Sequence, residues 1–192
     1  MKKIGVLAVQ GAVREHVRML NQITDVQGLA VKYETELDEI DGLIIPGGES
    51  TAIGRLLRDF DLLDPLKEKI QKGLPVWGTC AGMILLAKKL VNDDTSHLGV
   101  MDIEVARNGY GRQLGSFETV VNVPEVAVED MKLTFIRAPY VNSAGSEVRI
   151  LLKVDDRIVA CRQNNMLATA FHPELTEDLA WHRYFVRMVR GH

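Results

Sequence analysis

Cys80 lies within Gly78-Thr79-Cys80-Ala81-Gly82, between the apolar run Pro75-Val76-Trp77 and an apolar stretch reaching about Leu90. A strand, a sharp turn and a helix in that order put one thiol at the tip of the turn. The flanking glycines allow a backbone conformation that other residues resist and let a substrate approach closely. A sulfur at a helix N-terminus also meets free N–H groups and the positive end of the helix dipole, which favour a thiolate. Free cysteines are more often buried small hydrophobes, yet a glycine on each side of a strand–helix junction favours a nucleophile. Far along the chain, Phe171-His172-Pro173-Glu174 supplies an imidazole and a carboxylate. His172 would accept the thiol proton and later protonate a leaving amine, while Glu174 fixes its tautomer and orientation. Cys80, His172 and Glu174 are therefore read as a triad for acyl transfer through a thioester. Gly47 and Gly48 can aim a backbone N–H at the developing oxyanion, and the amide of Ala81 is the second donor. His16 and His182 fall on expected helices, His97 in a loop and His192 at the terminus, and all four are read as non-catalytic.

Elements must bring these distant residues together, and the first half alternates strands with helices. Ile4 to Val9 is a continuous apolar run, as for a strand buried on both faces. Ala12 to Gln22 reads as a helix with Val13, Val17 and Leu20 on one face. Strands are expected at Leu29–Tyr33, Gly42–Ile45 and Pro75–Trp77. Ser50 reads as the N-cap of a helix after Pro46-Gly47-Gly48, and Asp64-Pro65 as the start of another that stops at Gly73. The Cys80 helix follows, running to about Leu90. Such alternation predicts a three-layer α/β fold, a mostly parallel central sheet with helices on both faces. Sites in such sheets form beyond the carboxyl ends of the strands. Gln10-Gly11, Pro46 to Ser50, Gly78 to Gly82 and His172 to Glu174 are four loops at such ends. From about Asp102 to Thr169 short strands succeed one another, with the character of an antiparallel side sheet or an extension of the main one. They are expected at Met101–Val105, Phe117–Val123, Leu133–Arg137, Val148–Val154, Ile158–Arg162 and Leu167–Phe171. A helix from about Thr176 to Val189 closes the chain, and residues 1–192 are read as one domain.

Composition excludes several classes. A net charge of −3 offers no electrostatic footprint for nucleic acid or a membrane surface. Arg183, Arg187 and Arg190 fit one solvated helix face. Two cysteines are too few for a disulfide framework or a structural zinc site, and Cys161 reads as packing in a strand. Asp93-Asp94 and Glu177-Asp178 have no ligand-spaced partners, so neither metal nor cofactor is expected. No stretch approaches the roughly 18 apolar residues of a membrane span, and the N-terminus lacks the features of a signal peptide. A reducing cytoplasm is the expected compartment.

Gly78-Thr79-Cys80-Ala81-Gly82, with Phe171-His172-Pro173-Glu174, resembles the class I (triad) glutamine amidotransferases. More narrowly, five further segments are similar to the glutaminase subunits of pyridoxal 5′-phosphate synthases. They are Gln10 to His16, Pro46-Gly47-Gly48-Glu49-Ser50-Thr51, Arg107-Asn108 with Gly111-Arg112-Gln113, Phe135-Ile136-Arg137-Ala138-Pro139, and His172 to Asp178. The likeness runs from Met1 to about Val189. It implies a flavodoxin-like amidotransferase fold and hydrolysis of L-glutamine to glutamate and ammonia. It also implies a heteromeric partner, the barrel-shaped subunit of pyridoxal 5′-phosphate synthase, which would use the ammonia in vitamin B6 formation. Carried over position by position, Cys80, His172 and Glu174 are the triad. Gly48, Glu49, Ser50, Arg107, Ile136 and Arg137 hold glutamine, and Gln10 and Gly11 face the partner. A carboxylate for the ammonium and arginines for the carboxylate suit an amino acid. The chain departs from the pattern at Ala106, Gly109, Tyr110 and over Asn21 to Gln27. Three alternatives remain at this stage. One is a glutaminase serving another synthase, such as one building an imidazole ring. Another is the peptidase or chaperone branch, in which a histidine follows the cysteine where this chain has Ala81. The last is an inert partner-binding subunit.

Overall fold

Ile4, Val6, Leu43, Ile44, Val76, Trp77, Leu167 and Ala168 are wholly buried, because the strands carrying them are covered on both faces. The structure, a computed structural model, describes residues 1–108 and 115–192. Gly109, Tyr110, Gly111, Arg112 and Gln113 lie outside the described residues. The first half runs β1 (Lys2–Leu7), α1 (Val13–Leu20), β2 (Val26–Val31), β3 (Gly42–Ile45), α2 (Ser50–Asp59), α3 (Leu63–Gln71), β4 (Val76–Thr79) and α4 (Ala81–Leu86). The second runs β5 (Ala87–Leu90), β6 (Met101–Ala106), β7 (Ser116–Val121), β8 (Met131–Ile136), β9 (Tyr140–Ala144), β10 (Arg149–Val154), β11 (Arg157–Gln163), β12 (Met166–Thr169) and α5 (Ala180–Arg190).

The sheet order is β2-β1-β3-β4-β12-β11-β9-β6-β5, with β10 also paired to β11. Neighbours from β2 through β12 are parallel. Successive side chains of β4 show which helices cover which face. Trp77 meets rings of His16, His182 and Phe185 from α1 and α5. Gly78, pointing the other way, lies against α4, where an added Cβ would stand 2.4 Å from the Gly82 carbonyl oxygen. A strand alternates faces residue by residue, so the sheet is the middle of three layers.

The parallel registers Val6 with Ile44, Ile45 with Gly78 and Thr79 with Thr169 bring four strand ends to one edge. The loops after β1, β3, β4 and β12 emerge there together, and those loops carry the candidate chemistry.

Both readings of the second half are realised: among the described residues β7 and β8 form a separate antiparallel sheet, while β9, β10 and β11 extend the main one. Several expected boundaries are corrected. The Cys80 helix ends at Leu86, and Ala87 to Leu90 pairs with β6 as a strand. Lys88 and Lys89 are exposed between buried Ala87 and Leu90, a pattern that fits either state, so the neighbouring strand decides. The N-cap of α2 is Glu49, whose carboxylate accepts from the Thr51 and Ala52 N–H groups at 2.9 and 2.7 Å. Ser50 is the first helical residue. Helix α3 begins at Leu63, so Asp64 and Pro65 occupy its first turn. The last helix begins at Ala180, because Pro173–Leu175 is spent on a 3₁₀ turn. Strand β9 was not expected; its Asn142 and Ser143 lack the apolar alternation that marks a strand.

Candidate active site

Cys80 follows β4 as the N-cap of α4, with φ 50° and ψ −104°, a region costly for a residue with a side chain. The strain falls on the cysteine, while Gly78 and Gly82 serve close packing: a Cβ on Gly82 would stand 2.2 Å from the Ile45 carbonyl oxygen. Cys80 N–H donates to Thr169 O at 2.8 Å, which holds the turn against β12. The sulfur is thus lifted off the strand end beside the segment that follows β12.

That segment carries His172 and Glu174. His172 N–H donates to Thr134 O at 2.9 Å, tying the loop to β8. The 3₁₀ turn folds Glu174 back so that Oε1 lies 2.7 Å from His172 Nδ1. With Nδ1 engaged, Nε2 is the nitrogen left for Cys80. Burial of the imidazole lowers its pKa, but hydrogen bonds to Cys80 and Glu174, with their charges, outweigh it and push His172 up to about 10. The Glu174 side chain is fully buried.

A cleft of about 630 Å³ opens above these groups. Gly11, Gly47, Gly48, Glu49, Ser50, Cys80, Ala81, Arg107, Ile136, Arg137, His172 and Glu174, all singled out in the sequence, line it. Gln10 does not line it; its Oε1 instead accepts the Glu49 N–H at 2.9 Å. Ala12 N–H donates to Gly47 O at 3.1 Å. Gly11, at φ 108°, lies so close that a Cβ there would sit 2.0 Å from the same oxygen. The Gly47–Gly48 peptide is thus clamped by the loop after β1. Hydrogen bonding from Thr51 foremost, with Ala52 and the Arg107 charge, holds Glu49 below the usual carboxylate range despite some burial. Arg107 follows β6, half-buried, with Nη2 3.4 Å from Asp93 Oδ2. Ile136, the last residue of β8, and Arg137, which follows it, are exposed in the cleft lining.

Sequence reasoning missed Ile84 and Leu175, apolar residues of the cleft lining that carry no local signal. It also passed over His16, which is fully buried behind Glu174. A signal existed: His16 shares the helical face of Val13, Val17 and Leu20, where a polar ring needs a buried partner. Among the described residues no group of three His, Cys, Asp or Glu side chains is placed to hold a metal ion.

A profile of the SNO glutamine amidotransferase family matches residues 6–191. The chain belongs to that family. Among curated relatives, pyridoxal 5′-phosphate synthase subunit PdxT of Ruminiclostridium cellulolyticum is 62% identical over 98% of this chain and 100% of its own length. The subunit of the same name from Carboxydothermus hydrogenoformans is 56% identical over 97% of each chain. A crystal structure of a glutamine amidotransferase, 40% identical, superposes with a TM-score of 0.91 over 97% of this chain and 98% of that one.

Proposed function

We propose that the chain is the glutaminase subunit of a pyridoxal 5′-phosphate synthase, and that Cys80, His172 and Glu174 are its triad. The observation that carries the reading is the Nδ1–Oε1 contact of His172 and Glu174 at 2.7 Å beside a strained Cys80, in a cleft edged by two arginines. Relatives named as PdxT over their full length favour this synthase over one building an imidazole ring.

Glutamine enters with its α-carboxylate toward Arg107 and Arg137 and its ammonium toward Glu49, leaving the side-chain amide over Cys80. Ile136 packs against its methylenes, and Gly48 and Ser50 offer backbone groups. The Cys80 sulfur attacks the amide carbon, and the carbonyl oxygen becomes an oxyanion facing the Ala81 amide and the Gly47–Gly48 peptide. His172 Nε2 delivers its proton to the amide nitrogen, the C–N bond breaks, and ammonia leaves. A water molecule then gives its proton to His172 as its oxygen attacks the γ-glutamyl thioester. Glutamate departs and the thiol pair is restored. Glu174 keeps the imidazole in the tautomer that both steps need.

Free ammonia at neutral pH is mostly protonated and useless as a nucleophile, so the product needs a sheltered route to an acceptor. We therefore assign the barrel-shaped synthase subunit as partner, docking by Gln10 and Gly11. The clamp described above supports a switch: any shift of the Gln10–Ala12 loop moves the Gly47 carbonyl and, with it, the peptide's N–H. A single oxyanion donor is worth roughly a hundred- to a thousand-fold in rate. A catalytic thiol needs reducing surroundings, in keeping with the cytoplasm.

Steady-state glutamate release with and without the synthase subunit, at saturating glutamine, tests the reading. Activity that appears with the partner and vanishes in Cys80→Ala is expected. Release that survives Cys80→Ala removes the triad, and equal rates with and without partner remove the switch alone.

A further inference from the structure

We propose that His16, as a neutral imidazole carrying its proton on Nε2, is a positioning residue that holds the far oxygen of Glu174. The inference rests on Cys80, His172 and Glu174 acting as the triad.

Glu174 uses Oε1 for His172, and Oε2 points into the protein. Both side chains of the His16–Glu174 pair are fully buried, so no solvent reaches that oxygen. Oε2 has no conventional hydrogen bond, and His16 Nε2 faces it at 3.5 Å. An ionised carboxylate left unpaired there would be costly. The 3.5 Å separation is longer than a typical N–H···O hydrogen bond, so the contact is chiefly electrostatic, the N–H dipole aimed at the carboxylate oxygen. Thr79 Oγ1 lies 3.4 Å from the same nitrogen, so its hydroxyl can share the proton.

The tautomer follows from what stands behind. His16 Nδ1 lies 2.9 Å from His182 Nε2, and His182 Nδ1 has no partner. Were His16 to donate from Nδ1, His182 would be left with an orphaned buried N–H, and a His16 lone pair would face the carboxylate. With the proton on His16 Nε2, His182 donates from Nε2 to His16 Nδ1. Only an acceptor is then left unpaired, the lesser cost. Burial first, then the charges of His182 and His172, keeps His16 well below the ordinary histidine value. Burial pushes His182 down to about 3, so the two rings stay neutral. Trp77 fixes both, its ring centroid 5.8 Å from His16 and 5.0 Å from His182, and its Nε1 donates to Thr169 Oγ1 at 2.9 Å. The groups facing Glu174 are thus His172 from its own turn and His16 from α1, with Cys80 and His182 one step further in each direction. Helices α1 and α5 reach the nucleophile through this chain of side chains.

Two measurements test the assignment. Nitrogen-15 NMR of the histidine side chains in the full-length chain should show His16 neutral, with its proton on Nε2. His16→Leu, assayed with the synthase subunit, should lower kcat roughly 10- to 100-fold, the range for losing a partner that orients a functional group. KM for glutamine should change little. His16→Gln, which keeps an N–H donor near the Nε2 position, should recover most of that loss. A proton on Nδ1, a doubly protonated ring, or Leu and Gln variants equally impaired would overturn the proposal, as would a fully active Leu variant. If the Leu variant fails to fold, the tautomer and the Gln variant still decide. Cys80→Ala, run alongside, separates the cases: activity there removes the triad itself, whatever the state of His16.

Discussion

Gly47→Ala gives a sharp perturbation of the proposed triad from outside it. A Cβ at Gly47 would stand 2.6 Å from His172 Cε1 and 3.1 Å from Nδ1. Carbon atoms rest at about 3.5–4.0 Å, so the imidazole or the loop must give by roughly 1 Å. The ring has little freedom, because Glu174 holds Nδ1 at 2.7 Å and Thr134 O holds the backbone N–H at 2.9 Å. The loop is no freer, since Ala12 N–H grips Gly47 O at 3.1 Å. A misplacement of about 1 Å at a reacting group costs on the order of a hundred-fold in rate. The same crowding should destabilise the fold by about 1–3 kcal/mol, the usual range for overpacking. Glutamate release with the synthase subunit should thus show kcat down by roughly two orders of magnitude. KM should move less, because the arginines and Glu49 are untouched. A melting curve should confirm that the variant stays folded at the assay temperature, and the rate of Cys80 alkylation should drop. Were kcat to stay within a few-fold of wild type while the melting point falls, the position of the imidazole beside Gly47 would not limit the rate.

His172→Asn should be nearly as damaging as Cys80→Ala, Glu174→Gln milder, and the combined loss far less than the product of the single defects, since the three act as one unit. Rates for the single variants and the triple measure this, and simple multiplication would speak against a shared mechanism. Arg107→Ala and Arg137→Ala should raise KM for glutamine more than they lower kcat; the reverse pattern would move that arginine to the fold or the partner interface. His172 also predicts a pH dependence of stability. Its folded pKa of about 10 lies above the ordinary 6.5, so its contribution is complete below about 6.5 and is lost as pH rises through about 10. Denaturation of wild type and His172→Asn across that range should show a gap that is widest at the acid end and closes at the alkaline end. Gly82→Ala should be severely destabilising, because its Cβ would stand 2.2 Å from a backbone oxygen that cannot swing aside; thermal melting checks it.

Cys80 between Gly78 and Gly82, and His172 with Glu174, were legible from the chain because their signals are local. A strand, a turn and a helix start lie within a few residues, and the imidazole and the carboxylate that contact each other are two residues apart. The buried parallel strands were equally plain: a segment covered on both faces, such as Leu43-Ile44-Ile45, must be apolar throughout. What stayed hidden depends on partners distant in sequence. Ala87 to Leu90 is a strand because β6 lies beside it, and β9 because β6 and β11 flank it. The strain at the turn was expected of the glycines, yet Cys80 bears it while the glycines admit Ile45 O and the helix backbone. His16 and Glu174 are 158 positions apart, and only the packing of α1 against the 3₁₀ turn after β12 makes them neighbours. Local sequence chooses residue types and turns. The distances that make those residues a site come from side chains that the fold alone brings into register.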